Sequence, residues 1–256
     1  MLRRPTDVVD LVGKSIADDQ ELSWFQLHRN RFIETLDLTL KYVAKGSTVL
    51  ELGSAPGRMS VMLQTLGYDL VALDKQPETH ALRYSSHGIR AVKNDLEKDR
   101  FPFPDERFEA ILFTEVLEHI DPNYLTQLFW EIRRVLRPGG ILIISTPNSL
   151  SLENHILALA GRRKLFHEHV KEYTLTELAD LVGSNGFVIV ERFYSQVRDT
   201  ITHVGTTSNE RIGTDHVIVG ILRHPYWKNL GRALTLFPKI LIPPFRSSLV
   251  LVGRKG

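Results

Sequence analysis

The 256-residue chain has no cysteine. That absence excludes disulfides and thiolate metal sites, and makes a cytoplasmic address the default. A dominant charge is missing too. Its 32 Lys and Arg against 30 Asp and Glu leave a formal net charge of +2, so nothing in the overall electrostatics favours nucleic acid, although a local basic patch is still allowed. No apolar run reaches the ~20 residues of a membrane-spanning helix. Residues 1–13 carry Arg3 and Arg4 but are broken by Pro5, Asp7 and Asp10, so no apolar signal core forms there. What is present is ordinary for a folded domain. With 43% hydrophobic and 24% charged residues, the chain can bury a core for one domain, or one domain plus an appendage.

The densest signal lies at residues 49–60, VLELGSAPGRMS. A β-branched and leucine run ends in Glu51 and passes through Gly53, Ala55 and Gly57 into helical periodicity. It reads as strand, tight turn, helix, with small residues that let the backbone pass close to a ligand. Apolar spacing upstream predicts a helix over 21–44, stopped at Gly46. Downstream, strands are expected at 47–52, 68–74, 89–94, 108–113 and 141–145. Helices are expected at 58–66, 77–86 and 122–136, the last closed by Pro138-Gly139-Gly140. A helix at 175–184 precedes a strand at 187–194, and SLVLVG at 248–253 makes a final strand. Strands alternating with helices specify a doubly wound α/β sheet with right-handed crossovers. Ligands in such sheets sit beyond the carboxyl ends of the strands, where this chain places Glu51, Gly53, Asp74, Asp95, Thr114, Glu115, Thr146 and Asn148.

Those residues narrow the ligand. Asp74, about 20 positions after Gly53, can accept both hydroxyl hydrogens of a ribose, and it is also placed to cap the helix beginning near Pro77. A dinucleotide fingerprint needs a small residue where Arg58 stands, and a P-loop needs Gly-Lys-Ser/Thr after the turn; neither is met. Asp95, a loop acid on the plainer view, suits an exocyclic amine such as that of adenine and lies beside Leu96. The set describes an adenosine-containing ligand without phosphates.

With "VLELGSAPG", "VALD", "NDLEK", "FPFPDERFEAILFTEVLEHI", "LRPGGILIISTPN" and "HVKEYTLTELADLVGSNGF" in this order, the chain from Thr48 to about Phe187 resembles the class I S-adenosylmethionine-dependent methyltransferases. Within them it is similar to the methyltransferase domain 11 group and the ubiquinone-biosynthesis O-methyltransferases. The resemblance implies a Rossmann-like, seven-stranded sheet: five parallel strands plus a C-terminal pair in which strand seven is antiparallel, with a helical lid or insertion. It implies that Glu51, Gly53, Ala55 and Gly57 surround the methionine part of S-adenosyl-L-methionine. Asp74, with neighbouring Lys75, would hold the ribose, Asp95 and Leu96 the adenine, and Thr114 with Glu115 the face of the cofactor. Ala55 departs from the family's usual glycine; its one extra methyl is expected to displace the turn slightly without abolishing binding.

Methyl transfer is an in-line displacement helped by positioning and, for an oxygen nucleophile, by loss of its proton. His119, in EVLEH, and His169, in FHEHV, are the candidate bases because histidine titrates near physiological pH; His167 reads as a surface histidine. Glu115, Glu118, His119 and His169 also resemble the magnesium site of small-RNA terminal 2′-O-methyltransferases. That makes a divalent metal, and methylation of RNA ribose, the alternative to a metal-free enzyme. A third alternative is a non-catalytic module that binds the cofactor and a partner.

Four regions are expected: a helical cap at 1–46, the cofactor-binding core at 47–194, a substrate-covering insertion at 195–247 and the final core strand at 248–256. An apolar stripe at Leu150, Leu152, Ile156, Leu157 and Leu159, followed by Arg162-Arg163-Lys164, fits a lid helix with a solvated basic end, or contact with an anionic membrane. The insertion, with Trp227, Leu230, Leu234, Leu236 and Phe237, could also serve dimerisation. The composite expectation is a methyltransferase acting on an oxygen of a small or lipid-linked acceptor, with nucleic acid disfavoured.

Overall fold

Alternate residues of each central strand bury on opposite sides, and this builds two cores on one sheet. Strand β1 (Thr48–Leu52) sends Val49 to one side and Leu50 and Leu52 to the other, and β2 (Asp69–Asp74) divides Leu70 and Ala72 from Val71 and Leu73. Strands covered on both faces need apolar residues at nearly every position, which is the continuous pattern these segments show. The computed structural model describes residues 4–159, 161, 169–195 and 242–256. In it β3 (Arg90–Lys93), β4 (Phe108–Thr114), β5 (Leu136–Pro147), β6 (Phe187–Tyr194) and β7 (Ser248–Lys255) complete a seven-stranded sheet in the order β3-β2-β1-β4-β5-β7-β6. Strands β1 to β5 pair in parallel, while β7 runs antiparallel to both β5 and β6. Strand order reverses between β1 and β4, so the loops following those two strands diverge and leave a crevice between them.

One face is covered by α1 (Pro5–Lys14), α2 (Asp19–Tyr42) and α3 (Arg58–Leu66), with the short α4 (Ala81–Ser86) at its edge. The other is covered by α5 (Leu125–Val135) and α7 (Leu175–Ser184), and α6 (Leu152–Leu159) follows β5. Helix α1 is not anticipated from the sequence. Asp7 and Asp10 interrupt the segment as a linear string, yet they leave Val8, Val9 and Val12 on one buried stripe, and Pro5 occupies the first turn where a missing N–H costs nothing. Asp10 instead binds Arg29 of α2 at 2.7 Å. Helix α2 begins at the cap Asp18, whose carboxylate accepts the Glu21 amide at 2.7 Å.

Pro138-Gly139-Gly140 does not separate helix from strand as expected. Helix α5 stops at Val135, Leu136 already pairs with Phe108, and the register shifts before Ala110 meets Ile141, so this tripeptide forms a bulge with Pro138 and Gly139 exposed, Gly139 at φ +72°, and Gly140 buried. Residues 162–164, His167 and almost all of the insertion, including Trp227, Leu230, Leu234, Leu236 and Phe237, lie outside the described residues. Where the chain leaves β6, the Ser195 hydroxyl donates to Glu34 of α2 at 2.6 Å. No helix among the described residues is long and apolar enough to cross a membrane.

Candidate functional site

The turn after β1 is tied to β2 before it reaches any ligand. The Gly53 amide donates to the Leu73 carbonyl at 2.8 Å, and the Ala55 amide donates to the Asp74 carboxylate at 2.9 Å. Gly53 has φ +65°, and a Cβ there would lie 2.5 Å from Val116, so glycine is needed for both conformation and space. Gly57 likewise sits at φ +84° at the start of α3, against the Tyr84 ring, whose hydroxyl is 2.9 Å from that of Ser54. Asp74 also accepts the Gln76 amide at 2.9 Å. Gln76 is the residue ahead of the helical turn Pro77–His80, which has no side-chain cap, so Asp74 does not cap that turn as the sequence allowed.

Behind the turn, Glu51 is 4% exposed and accepts a hydrogen bond from the Ser60 hydroxyl. Burial pushes its carboxyl up to about 8 against the opposing pull of Ser60, and the nearby Asp74 charge adds to the rise. Glu51, Gly53, Ala55, Thr114 and Glu115 meet in one cavity, which Arg58 and Met59 of α3 also line and which Trp24, Arg31 and Phe32 of α2 wall on another side. Arg31 binds the Glu115 carboxylate at 2.9 Å. In the sequence Arg31 is one of several polar residues between the apolar positions of a helix; only the docking of α2 across the strand ends turns it towards the cavity.

At the ends of β2 and β3, Lys75 binds Asp95 at 3.0 Å. Burial opposes ionisation of Asp95, but the Lys75 ammonium and the Glu97 amide outweigh it and hold that carboxyl below its ordinary value. Leu96 packs, partly buried, against the core on the α5 side.

The histidines approach from the other side of Glu115, which bends the chain at φ +57° into a short helical turn, Leu117–His119. Glu118 is 2% exposed and accepts the Thr146 hydroxyl at 3.0 Å; burial, helped by the Glu115 charge, raises its carboxyl to about 8. Its backbone carbonyl accepts the amides of Val170 at 2.7 Å and Lys171 at 3.2 Å, which brings His169 beside His119 with ring centroids 5.0 Å apart. One ligand atom from each of Glu118, His119 and His169 lies within 4.8 Å of the others. Glu115, the fourth member of the expected metal set, is engaged by Arg31 and by the Ser145 hydroxyl at 2.8 Å. Asn148 at the end of β5 is structural. Its side-chain amide donates to the carbonyls of Pro244 and Arg246 at 2.8 Å each.

A family model described as "Methyltransferase domain" matches residues 25–192 of this chain, from within α2 into β6. The chain belongs to that methyltransferase family. A ubiquinone biosynthesis O-methyltransferase of Cereibacter sphaeroides is 29% identical over 168 residues, covering 61% of this chain and 66% of the relative. A probable S-adenosylmethionine-dependent methyltransferase of Mycolicibacterium smegmatis is 28% identical over 174 residues, covering 66% and 61%. The chain thus spans less than two thirds of the length of either relative. Among solved structures, a SAM-dependent methyltransferase from Archaeoglobus fulgidus superposes with a TM-score of 0.58 at 16% identity, over 88% of this chain and 94% of the other; at that identity the likeness concerns the fold. The family match begins within α2, the helix that supplies Arg31.

Proposed function

We propose that this methyltransferase-family chain binds S-adenosyl-L-methionine in the cavity between β1 and β4 and methylates an oxygen of a small or lipid-linked acceptor. The observation that carries the proposal is the convergence of Glu51, the Gly53 turn, Thr114 and Glu115 on one cavity, with Asp74 bonded behind it to Ala55 of the lining and, on the turn that follows Glu115, His119 with His169 beside it. The residues present fit the ligand chemically. Glu115 offers negative charge to a sulfonium, Glu51 offers a buried carboxyl that a bound ammonium would draw back towards its ionised form, and Arg31 is a cation for the ligand carboxylate. Glu51, Gly53, Ala55 and Gly57 would enclose the methionine portion. Asp74 and Lys75 would hold the ribose, Asp95 and Leu96 the adenine, and Thr114 with Glu115 the cofactor's face.

When bound, the cofactor supplies an electrophilic methyl group on a positive sulfur. The chain's part is to align an acceptor oxygen with it and remove the hydroxyl proton, for which His119 and His169 stand ready. Alpha6 leaves Ile156 and Leu159 exposed at 50% and 90%, an apolar face that suits a lipophilic acceptor or peripheral membrane contact. We assign the 195–247 insertion to covering the acceptor, and residues 1–46 to capping the cofactor.

A second reading is favoured by the closeness of Glu118, His119 and His169: a divalent ion that polarises the acceptor hydroxyl. Two imidazoles with one carboxylate match manganese or zinc better than magnesium, which prefers oxygen ligands.

Calorimetry with S-adenosylhomocysteine, followed by a labelled-methyl screen over phenols, glycans, lipids and RNA, tests these proposals. Absence of binding would overturn the cofactor assignment. Binding without transfer to any acceptor would favour a non-catalytic module. Transfer abolished by a chelator would establish the metal reading, and transfer indifferent to it would end that reading.

A further inference from the structure

The second carboxylate beside the histidines is Glu172, which the sequence gives no reason to single out. Its Oε1 lies 3.1 Å from His169 Nδ1, and the two side chains are only 14% and 11% exposed. Its other oxygen accepts the side-chain amide of Asn154 on α6 at 2.7 Å. That amide is itself oriented, because its second hydrogen is shared between the backbone carbonyls of Asn148 and Ser149, each 3.2 Å from the nitrogen. The Glu172 backbone is fixed through its neighbour: Ser149 donates its amide to the Tyr173 carbonyl at 2.9 Å. The end of β5 therefore holds both Asn154 and Glu172 in place.

We propose that Glu172, oriented by Asn154, is a positioning residue that holds His169 in its Nδ1–H tautomer and so makes Nε2 the proton-accepting atom. An ionised carboxylate has only acceptor sites, so the ring nitrogen facing it must carry the hydrogen. The neutral ring then has its lone pair on Nε2. In the transfer, the oxygen lone pair of the acceptor forms the new bond to the methyl carbon. With the cofactor bound, its sulfur would keep the carbon–sulfur pair and lose its positive charge, and Nε2 would take the acceptor proton, leaving an imidazolium that Glu172 faces. This inference rests on the proposed role of His169 as a base, but the tautomer is observable without turnover.

Asn154 makes the isosteric variant informative. In Glu172→Gln, the new carbonyl should turn to the Asn154 donor and the new NH₂ to His169, forcing Nδ1 to accept and moving the hydrogen to Nε2. Long-range ¹H–¹⁵N correlation spectra of the full chain, with His169 identified by its loss in His169→Asn, should show the Nδ1–H form in the wild type and the Nε2–H form in Glu172→Gln. Adding Asn154→Ala to that variant frees the glutamine to rotate, and should restore Nδ1–H. A wild-type Nε2–H form would overturn the inference whatever the variants do, as would an unchanged tautomer in a folded Glu172→Gln. With the acceptor that gives the highest transfer in the labelled-methyl screen, Glu172→Gln should lower kcat by roughly 100-fold, with KM for the cofactor unchanged. If the tautomer inverts while kcat stays at the wild-type value, Glu172 still positions His169 and it is the base role that fails.

Discussion

Asp74 already serves the fold with the oxygens that the proposed ligand would use. Its oxygens accept the amides of Ala55 and Gln76, so the apo turn is already organised by the group that would take the ribose hydroxyls. Asp74→Ala is expected to weaken S-adenosylhomocysteine binding by about 1–3 kcal/mol, the cost of losing a hydrogen-bonded charge; calorimetric affinity equal to wild type would remove Asp74 from the site. Glu51 makes a different prediction, because its carboxyl rises from an ordinary 4.5 to about 8 on burial. The folded state favours the protonated acid, so the stability contributed by Glu51 is complete below about pH 4.5 and is lost as pH rises through about 8. Thermal unfolding of the unliganded chain between pH 5 and 8.5 should therefore show a steeper loss of midpoint in wild type than in Glu51→Gln. Parallel curves would contradict the burial argument.

At the scale of elements, helix α2 is latched to the glycine turn by a single acid. Glu21 binds Arg58 at 2.6 Å and Arg83 at 3.0 Å, and Arg83 also donates to the Pro56 carbonyl. Arg58 is 7% exposed. Removing its partner would leave a buried cation unpaired and the wall carrying Arg31 less firmly placed. Glu21→Ala is expected to destabilise the chain by roughly 1–3 kcal/mol in urea unfolding and to weaken S-adenosylhomocysteine binding as well. Lost stability with unchanged affinity would mean that the latch serves the fold alone. The turn itself tolerates less. Gly53→Ala pushes a methyl group into Val116 from a positive φ and should abolish ligand binding before it unfolds the sheet.

Across the whole molecule, a ligand held as proposed would touch loops that follow β1, β2, β3 and β4, so its binding should stabilise the sheet as a unit. At a ligand concentration 100 times Kd, linkage gives about 2.7 kcal/mol, which for a chain of this size is a rise of several degrees in Tm. Calorimetric scans with and without S-adenosylhomocysteine check this, and an unmoved transition would refute binding at the strand ends. The fold was legible because its signals are local. Continuous apolar strands such as 69–74 and a glycine-stopped helix at 58–66 each carry their own period and terminator, and alternation of the two types permits few topologies. Helix α1 was missed because its apolar stripe is three valines among charges, evident only once another surface covers them. Glu51, Gly53, Asp74 and Thr114 could be read from their places at strand ends, since the chain's own punctuation locates those ends. Arg31, Glu21 and Glu172 could not. Each is an ordinary polar residue in its segment, and its partner lies on another element. The sequence by itself determined the sheet, the glycine turn and the family; only the tertiary structure decided which helix walls the cavity and which carboxylate orients His169, because those choices depend on side chains that meet through packing rather than through spacing along the chain.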